Sequence, residues 1–225
     1  MSTTAHTVVP YITIRRTEQA ESFLMLGART EDDGRSRLAH LDEERDDRDL
    51  HRVLWARVCQ SLGPDLLPSG DPQWGLVHPS RQRETRLRLR CQVCWANTED
   101  HRREAPARPG VLFLHTAGSD LTQAQPVRTW QPPIRVEHAR LAVTRCPALG
   151  RKGHVALLAR RYRLYGLYGV IGTPHERTLD GVRAPASNDI PVPYRDPRLR
   201  RFLASQLVRE LTDFGVVNLE ELTPA

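Results

Sequence analysis

Two cysteines separated by two residues, Cys91-Gln-Val-Cys94, are the side chains best suited to chemistry in this chain. Two thiolates at that spacing can chelate one ion, and zinc is the metal that cysteine and histidine most often hold in structural sites. His138 follows after 43 intervening residues and is the best third ligand. The pattern predicts a structural zinc site made by Cys91, Cys94 and His138.

The fourth ligand of this site is open, because structural zinc sites contain four. In a C-x2-C or C-x2-H pair, the partner of His138 would stand three residues earlier, where the chain has Arg135, whose guanidinium does not lose its proton. Cys146 lies about 12 Å further along a continuous helix, too far to share the ion. His115, a neighbouring acid such as Glu137, and water remain. A metal-free knuckle and a redox pair are the other interpretations of the cysteines.

Length and composition bound the class of protein. The chain has 225 residues, 39% of them hydrophobic, which is enough for a core in one compact unit. The apolar runs are too short to cross a bilayer, and the first residues lack the pattern of a signal peptide. Four cysteines do not make a disulfide framework. Together with the short apolar runs and the missing signal-peptide pattern, this predicts a cytoplasmic protein that does not enter membranes. The oligomeric state is not encoded in any motif.

Charge is distributed unevenly along the chain. Residues 1–72 carry 9 Arg and 13 acidic residues, whereas residues 73–225 carry 24 basic and 14 acidic residues. Arginines alternate with leucines up to the knuckle, which predicts a strand with one arginine face for phosphate contacts. The candidates for nucleic-acid binding are Arg81, Arg83, Arg86, Arg88 and Arg90, with Trp95 and Trp130 as stacking surfaces. The alternative is a solvated arginine face and tryptophans in the core.

The elements predict an α+β fold of antiparallel strands, two main amphipathic helices and a treble-clef-like zinc module. Apolar spacing indicates a helix over residues 50–62, in which Cys59 is a buried structural thiol, and another over residues 196–215. Residues 111–115 and 155–171 are rich in strand formers, with a hairpin bend or bulge at Gly166 and Gly169, and residues 136–146 suit a helix. We divide the chain into residues 1–80, 81–150 (the zinc module) and 151–225.

Several segments resemble an uncharacterised family of actinobacterial, Streptomyces-type CxxC zinc-finger-like proteins. The resemblance covers much of the chain, including Gly75-Leu-Val-His-Pro79, Leu89-Arg-Cys-Gln-Val-Cys94 and Pro132-Pro-Ile-Arg-Val-Glu-His-Ala139. It implies a C-x2-C…C-x2-C/H metal site in which the position of Arg135 is a cysteine. This chain departs from the pattern there, and the resemblance implies architecture rather than activity.

Three classes of function remain open. The first is a zinc-stabilised, non-catalytic protein that binds DNA or RNA or acts as a regulator through its basic surface. The second is an accessory or scaffold protein that binds another protein. The third is an HNH-like metal-dependent nuclease with His115 as general base, although Leu114 occupies the place of the usual Asp. Phosphate-loop, dinucleotide, GxSxG and HExxH motifs do not occur in the sequence.

Overall fold

The computed structural model describes residues 8–98, 110–117, 126–171 and 190–222, and within them the fold is mixed α+β. The strands are β1 (Thr13–Arg15), β2 (Leu26–Thr30), β3 (Ser36–His40), β4 (Leu54–Trp55), β5 (Pro72–Val77), β6 (Val111–Thr116), β7 (Val127–Thr129), β8 (His154–Ile171), β9 (Val192–Pro193) and β10 (Phe202–Val217). The helices are α1 (Pro79–Leu87), α2 (Val136–Arg145) and α3 (Pro147–Lys152). The predicted class is confirmed, as are the strands over residues 111–115 and 155–171 and the helix over residues 136–146.

A six-stranded sheet forms the centre of the molecule. The two long strands β8 and β10 pair antiparallel from Phe202↔Ile171 to Val217↔Ala156. β6 and β9 pair antiparallel with β8, β7 pairs antiparallel with β10, and β4 adds a short parallel partner to β10. Two separate antiparallel pairs lie outside this sheet, namely the hairpin of β2 with β3 and the pairing of β1 with the distant β5.

The predicted C-terminal helix over residues 196–215 is wrong. Asp196 does cap a helical turn, since its side chain accepts from the backbone N of Arg198, but that turn is a short 3-10 helix, Pro197–Arg201. The chain then becomes β10, in which every residue from Phe202 to Leu211 is buried. A strand covered on both faces does not alternate between apolar and polar residues, and β10 also buries Ser205, Gln206, Arg209 and Glu210, so its apolar residues match a helical spacing as well.

The predicted helix over residues 50–62 is also wrong. Leu50 is 99% exposed, and Arg52 has a positive φ of 63°, which ends any helix there. Asp49 accepts instead from the backbone N of His51 and of Val53, and so makes a turn that leads into β4. Cys59 is exposed and lies outside any helix, so its predicted role as a buried structural thiol is corrected.

The predicted arginine-faced strand before the knuckle is in fact α1. Pro79 occupies the first helical position, where its missing N–H costs nothing. The buried face of α1 consists of polar side chains and Pro79, so the apolar periodicity that predicts helices does not appear in the sequence. Its buried residues are Pro79, Arg81, Gln82, Thr85 and Arg86.

The edge of β10 that faces away from β8 is completed by the side chain of Gln82. β4 pairs with β10 at Leu203 and Ala204, and β7 pairs with it from Arg209 to Leu211. Between them, the Gln82 carboxamide donates to the Leu207 carbonyl at 3.0 Å and accepts from the Leu207 N–H at 2.8 Å. Gln82 thereby satisfies the backbone as a neighbouring strand would.

The helices α1 and α2 lie on opposite faces of β6. Leu112 and Leu114 pack with Val136 and Ala139 of α2 and with Cys91. Phe113 points to the other face, where the guanidinium of Arg86 lies 5.5 Å from its ring centroid. The knuckle and the start of α2 are therefore held on the same face of the sheet.

Of the predicted hairpin bend or bulge at Gly166 and Gly169, the hairpin is wrong, but the β8–β10 register does shift next to both glycines. A Cβ at Gly166 would come 2.0 Å from the Val192 carbonyl oxygen, and one at Gly169 would come 2.1 Å from the Leu203 carbonyl oxygen. Glycine is needed because β9 and β10 approach the backbone too closely for a side chain. Within the described residues, the helices are all too short or too polar to span a bilayer.

Candidate metal centre

The two cysteines lie in a tight backbone turn directly after α1. The Cys91 N–H donates to the Ala96 carbonyl at 2.7 Å, and the Trp95 N–H donates to the Cys91 carbonyl at 2.9 Å. Trp95 takes a positive φ of 62° to close the turn, which an antiparallel bridge between Arg90 and Asn97 flanks. This geometry directs both thiols to the same side of the knuckle.

Neighbouring segments clamp the knuckle on two sides. The backbone of Gln92 donates to the Pro133 carbonyl at 2.9 Å, and its side chain donates to the Pro132 carbonyl at 3.2 Å. On the other side, the Tyr11 N–H donates to the Val93 carbonyl at 3.0 Å. Since Pro133 lies three residues before α2, these bonds bring the start of α2 next to the thiols.

His138 stands in the first turn of α2 and faces the cysteines. The ligand atoms of Cys91, Cys94 and His138 all lie within 4.8 Å of one another, and these three residues are called the metal centre below. The Cys91 Sγ is 3.6 Å from His138 Nδ1. Two ligands at normal zinc distances in a tetrahedron are about 3.5 Å apart for one sulfur and one nitrogen. The side chains are therefore already spaced as zinc ligands.

The pKa values of the two thiols are shifted in opposite directions. The pKa of Cys94 is lowered to about 5, chiefly because it accepts a hydrogen bond from the Cys91 thiol, with further help from the Ala96 N–H and the charge of His138. The same hydrogen bond and burial raise the pKa of Cys91. The Arg135 N–H also donates to Cys91 Sγ, at 3.4 Å. One thiolate is thus available, and a bound cation would displace the remaining proton.

Of the candidates for a fourth ligand, His115 and Cys146 lie elsewhere. His115 points to the same face of β6 as Phe113, away from the metal centre, and is only 7% exposed. α2 runs unbroken to Arg145, which leaves Cys146 beyond its far end. Glu137 is adjacent, with its Oε1 3.9 Å from His138 Nδ1. Among the described residues, only the three of the metal centre meet the 4.8 Å spacing.

The five arginines proposed for phosphate contacts do not share one face. Arg81 is 2% exposed and pairs with buried Glu18, and Arg86 is fully buried, donating to the carbonyls of Thr129 and Gln131. Both are corrected from surface contacts to core residues, because their guanidiniums bind protein groups in the interior. Of the other three, Arg88 is exposed and Arg83 and Arg90 are half-buried.

The two tryptophans proposed for stacking already contact protein groups. The guanidinium of Arg90 lies 3.9 Å from the centroid of Trp95, and Tyr11 packs against the same indole. Trp130 meets Tyr168 edge to face at 5.4 Å. Both rings are half-buried, so they are intermediate between the stacking and the core interpretations.

Sequence reasoning treated Arg135 only as a failed ligand and missed what it does. Its backbone N–H reaches Cys91 Sγ, and its Nε lies 2.8 Å from Glu137 Oε1. The sequence signal was present in the spacing Arg-x-Glu-His, which places a cation and an acid in the same helical turn as the histidine.

Comparisons with protein-family models, with curated proteins and with solved structures give no match. The resemblance to actinobacterial CxxC proteins therefore stays a prediction. Any function has to be argued from the geometry of this molecule.

Proposed function

We propose that this protein binds zinc at Cys91, Cys94 and His138, and that the ion has a structural role in a treble-clef-like module. The observation that carries the proposal is the 3.6 Å separation of Cys91 Sγ and His138 Nδ1, with Cys94 within the same 4.8 Å group. Thiolate and imidazole favour zinc over magnesium or calcium, which prefer oxygen. The order of knuckle, β6 and a helix with a ligand in its first turn supports the treble-clef interpretation.

The energetic consequence is a cross-link. The knuckle and α2 are distant in sequence, and an ion held by both would tie the two segments together in the folded state, so that its binding free energy adds to the free energy of unfolding. This role fits the buried position of Cys91, which packs with Leu112, Ile134 and Ala139. A structural site of this kind needs no access for a substrate.

Metal analysis of freshly purified protein tests the proposal. We expect one equivalent of zinc, which is lost in Cys91→Ser. Cys59→Ser is the matched control, because Cys59 is exposed and lies outside the metal centre. Protein that carries no zinc and takes up none on titration would contradict the proposal, as would equal loss of zinc in both variants.

We further propose that the protein acts without catalysis by binding nucleic acid through exposed arginines of β8. Arg160, Arg161 and Arg163 are exposed on this strand. Register places Arg163 and Arg128 on either side of Glu210, so that the two cations flank one acid. The guanidinium of Arg128 also lies 4.0 Å from the ring centroid of Tyr165. Arginines beside an aromatic ring are suited to a phosphate backbone with stacked bases.

The affinity for labelled single-stranded and duplex oligonucleotides, measured from low to high salt, tests this second proposal. Arg160→Glu/Arg161→Glu should weaken binding and reduce the salt dependence by about 0.9 for each lost contact with duplex phosphates. Arg29→Glu/Arg35→Glu, with the same change of charge on exposed sites in the acidic first third, is the control. Failure to bind either oligonucleotide at low salt would favour the accessory-protein alternative.

The nuclease alternative depends on His115, which the structure does not place at the surface. Burial and the nearby charge of Arg86 lower its pKa to about 4. A general base has to reach the nucleophile that attacks the phosphodiester, and the buried side chain of His115 is poorly placed for that. Cleavage of DNA with Mg²⁺ or Mn²⁺ that His115→Ala abolishes would revive this alternative.

A further inference from the structure

The metal centre has three ligands, and a neighbouring carboxylate has the chemistry and the position of the fourth. We propose that Glu137 completes the tetrahedron and that Arg135 is the positioning residue that directs it. The inference rests on the proposed zinc site. It replaces the missing C-x2-H partner with an acid next to His138 in sequence.

The first observation is an oxygen atom that lacks a partner. Oε2 of Glu137 exposes less than 1 Å² and accepts no hydrogen bond from the described residues, although the side chain as a whole is 35% exposed. A carboxylate oxygen that is shielded from water and has no donor is unfavourable. A cation between Glu137 and the thiols would give this oxygen the partner that it needs.

The second observation is distance. Glu137 Oε1 is 3.9 Å from His138 Nδ1. Two ligands of one zinc ion, each at a normal zinc–oxygen or zinc–nitrogen length, are about 3.3 Å apart in a tetrahedron. Oε1 is the oxygen that Arg135 contacts, and Glu137 lies outside the 4.8 Å group of the metal centre, so rotation about its side-chain bonds has to bring Oε2 towards the thiols.

The third observation is the position of Arg135. Its Nε is 2.8 Å from Glu137 Oε1, which leaves Oε2 as the oxygen for the metal. Its backbone N–H meanwhile donates to Cys91 Sγ, so the same residue contacts a ligand of the metal centre directly. Arg135 occupies the sequence position at which a ligand is expected, and it positions Glu137 as the ligand instead.

Charge supports this arrangement. Two thiolates and one carboxylate around Zn²⁺ leave a net charge of minus one, which the guanidinium of Arg135 balances. Half-buried ionic groups are favourable when such compensation is close and hydrogen-bonded. A water ligand would leave the Glu137 carboxylate without a part in the site, whereas Arg135 would keep its hydrogen bond to Cys91 Sγ.

Cobalt replaces zinc in such sites, and its thiolate charge-transfer absorption counts bound sulfurs. The Co²⁺ protein is titrated with 2-mercaptoethanol, which binds a coordination position that water holds but not one that a carboxylate holds. We expect the wild-type absorption to stay constant, whereas in Glu137→Gln it rises by about half as a third thiolate joins two. Glu220→Gln, an exposed acid in the first turn of another short helix, should behave as wild type.

Zinc affinity and chemical rescue give independent readouts. Glu137→Gln should weaken zinc binding at least about tenfold, and acetate should restore the spectrum of Glu137→Ala by supplying a carboxylate. Arg135→Ala should admit the added thiol partly, and Arg135→Lys should recover the wild-type behaviour.

The outcomes separate the two proposals. A wild-type protein that binds the added thiol has an open fourth position, which overturns the assignment of Glu137 while zinc binding stands. A wild-type protein that binds neither Zn²⁺ nor Co²⁺ overturns the proposed zinc site itself. The wild-type titration alone decides, even if the substituted proteins do not fold.

Discussion

The helices α1 and α2 pack against the two faces of one sheet, and they bury opposite kinds of side chain. α1 turns Arg81, Gln82 and Arg86 inward, and the protein itself supplies partners for them in Glu18, Leu207 and the carbonyls after β7. α2 packs through Val136 and Ala139, while its polar groups gather at its N-terminus. There, Cys91, Cys94, His138 and Glu137 supply mainly acceptors.

The difference shows how to tell a structural polar cluster from a ligand site. Each inward side chain of α1 bonds to at least one protein group, although Arg81 Nε and Nη1 and Arg86 Nε are buried without a hydrogen-bond partner among the described residues. Once deprotonated, the thiolates, the free imidazole nitrogen and the carboxylate are all acceptors, and we propose that their common partner is a cation from solution. The four experiments that follow start with the largest expected effect.

Removing the metal should strongly lower the free energy of unfolding, through the α2 side of the sheet alone. With free zinc a thousandfold above its dissociation constant, binding adds about 4 kcal/mol to the free energy of unfolding, which a chelator removes. Thermal unfolding with and without chelator measures the difference. A melting temperature that does not respond to chelator would show that α2 needs no ion and would end the contrast between the helices.

Replacing Gln82 should also destabilise the protein, but through the α1 side of the sheet and independently of metal. Gln82→Leu leaves the N–H and the carbonyl of Leu207 buried without partners, which should lower the free energy of unfolding by about 3 kcal/mol. Denaturant unfolding measures the loss, which should be the same with chelator present. Gln60→Leu, at an exposed position, should change stability by less than about 0.5 kcal/mol.

Acid should destabilise the protein through His115, on the α1 face of β6. Burial and Arg86 lower its folded pKa from 6.5 to about 4, so below pH 6.5 the unfolded chain binds a proton that the folded one does not. Stability is therefore lost as pH falls from about 6.5 towards 4, by about 2 kcal/mol between pH 7 and pH 5. His115→Leu should remove this part of the pH dependence, and His154→Asn, at an exposed site, should retain it.

The smallest effect is expected at Arg88, the exposed arginine next to the end of α1. Its ion pair with Glu84 at 3.5 Å is open to solvent, since the Arg88 side chain is 62% exposed. Arg88→Ala should change the free energy of unfolding by less than about 0.5 kcal/mol, in contrast to Arg86→Ala in the interior. Equal losses in the two variants would mean that the burial of Arg86 contributes nothing.

The sequence predicted the elements whose residue types or spacing are typical of one secondary structure. β6 and β8 are rich in strand-forming residues and α2 has apolar residues at helical spacing, and all three are present. It also predicted the metal centre, because CxxC and a later histidine are recognisable without knowledge of packing.

The failures have the same physical origin. α1 buries arginine and glutamine, which hydrophobic periodicity treats as exposed, and β10 is buried on both faces, which erases the two-residue period. The partners that make these choices stable, such as Leu207 for Gln82, lie far away in sequence. The contacts of Arg135 were hidden for a related reason, since the sequence does not show that its backbone N–H reaches Cys91 Sγ or that its guanidinium reaches Glu137.

The dependence of β10 on early residues has a consequence for how the chain is made. Leu54 pairs with Leu203, and Gln82 bonds to a residue 125 positions later. On the ribosome, the residues of β4 and α1 are synthesised long before β10, the strand that they contact in the folded protein. High contact order slows folding because distant segments must meet before native contacts form. The native topology therefore cannot form before β10 has been synthesised. Until then, Trp55 and the arginines of α1, which are buried in the folded protein, remain exposed to water.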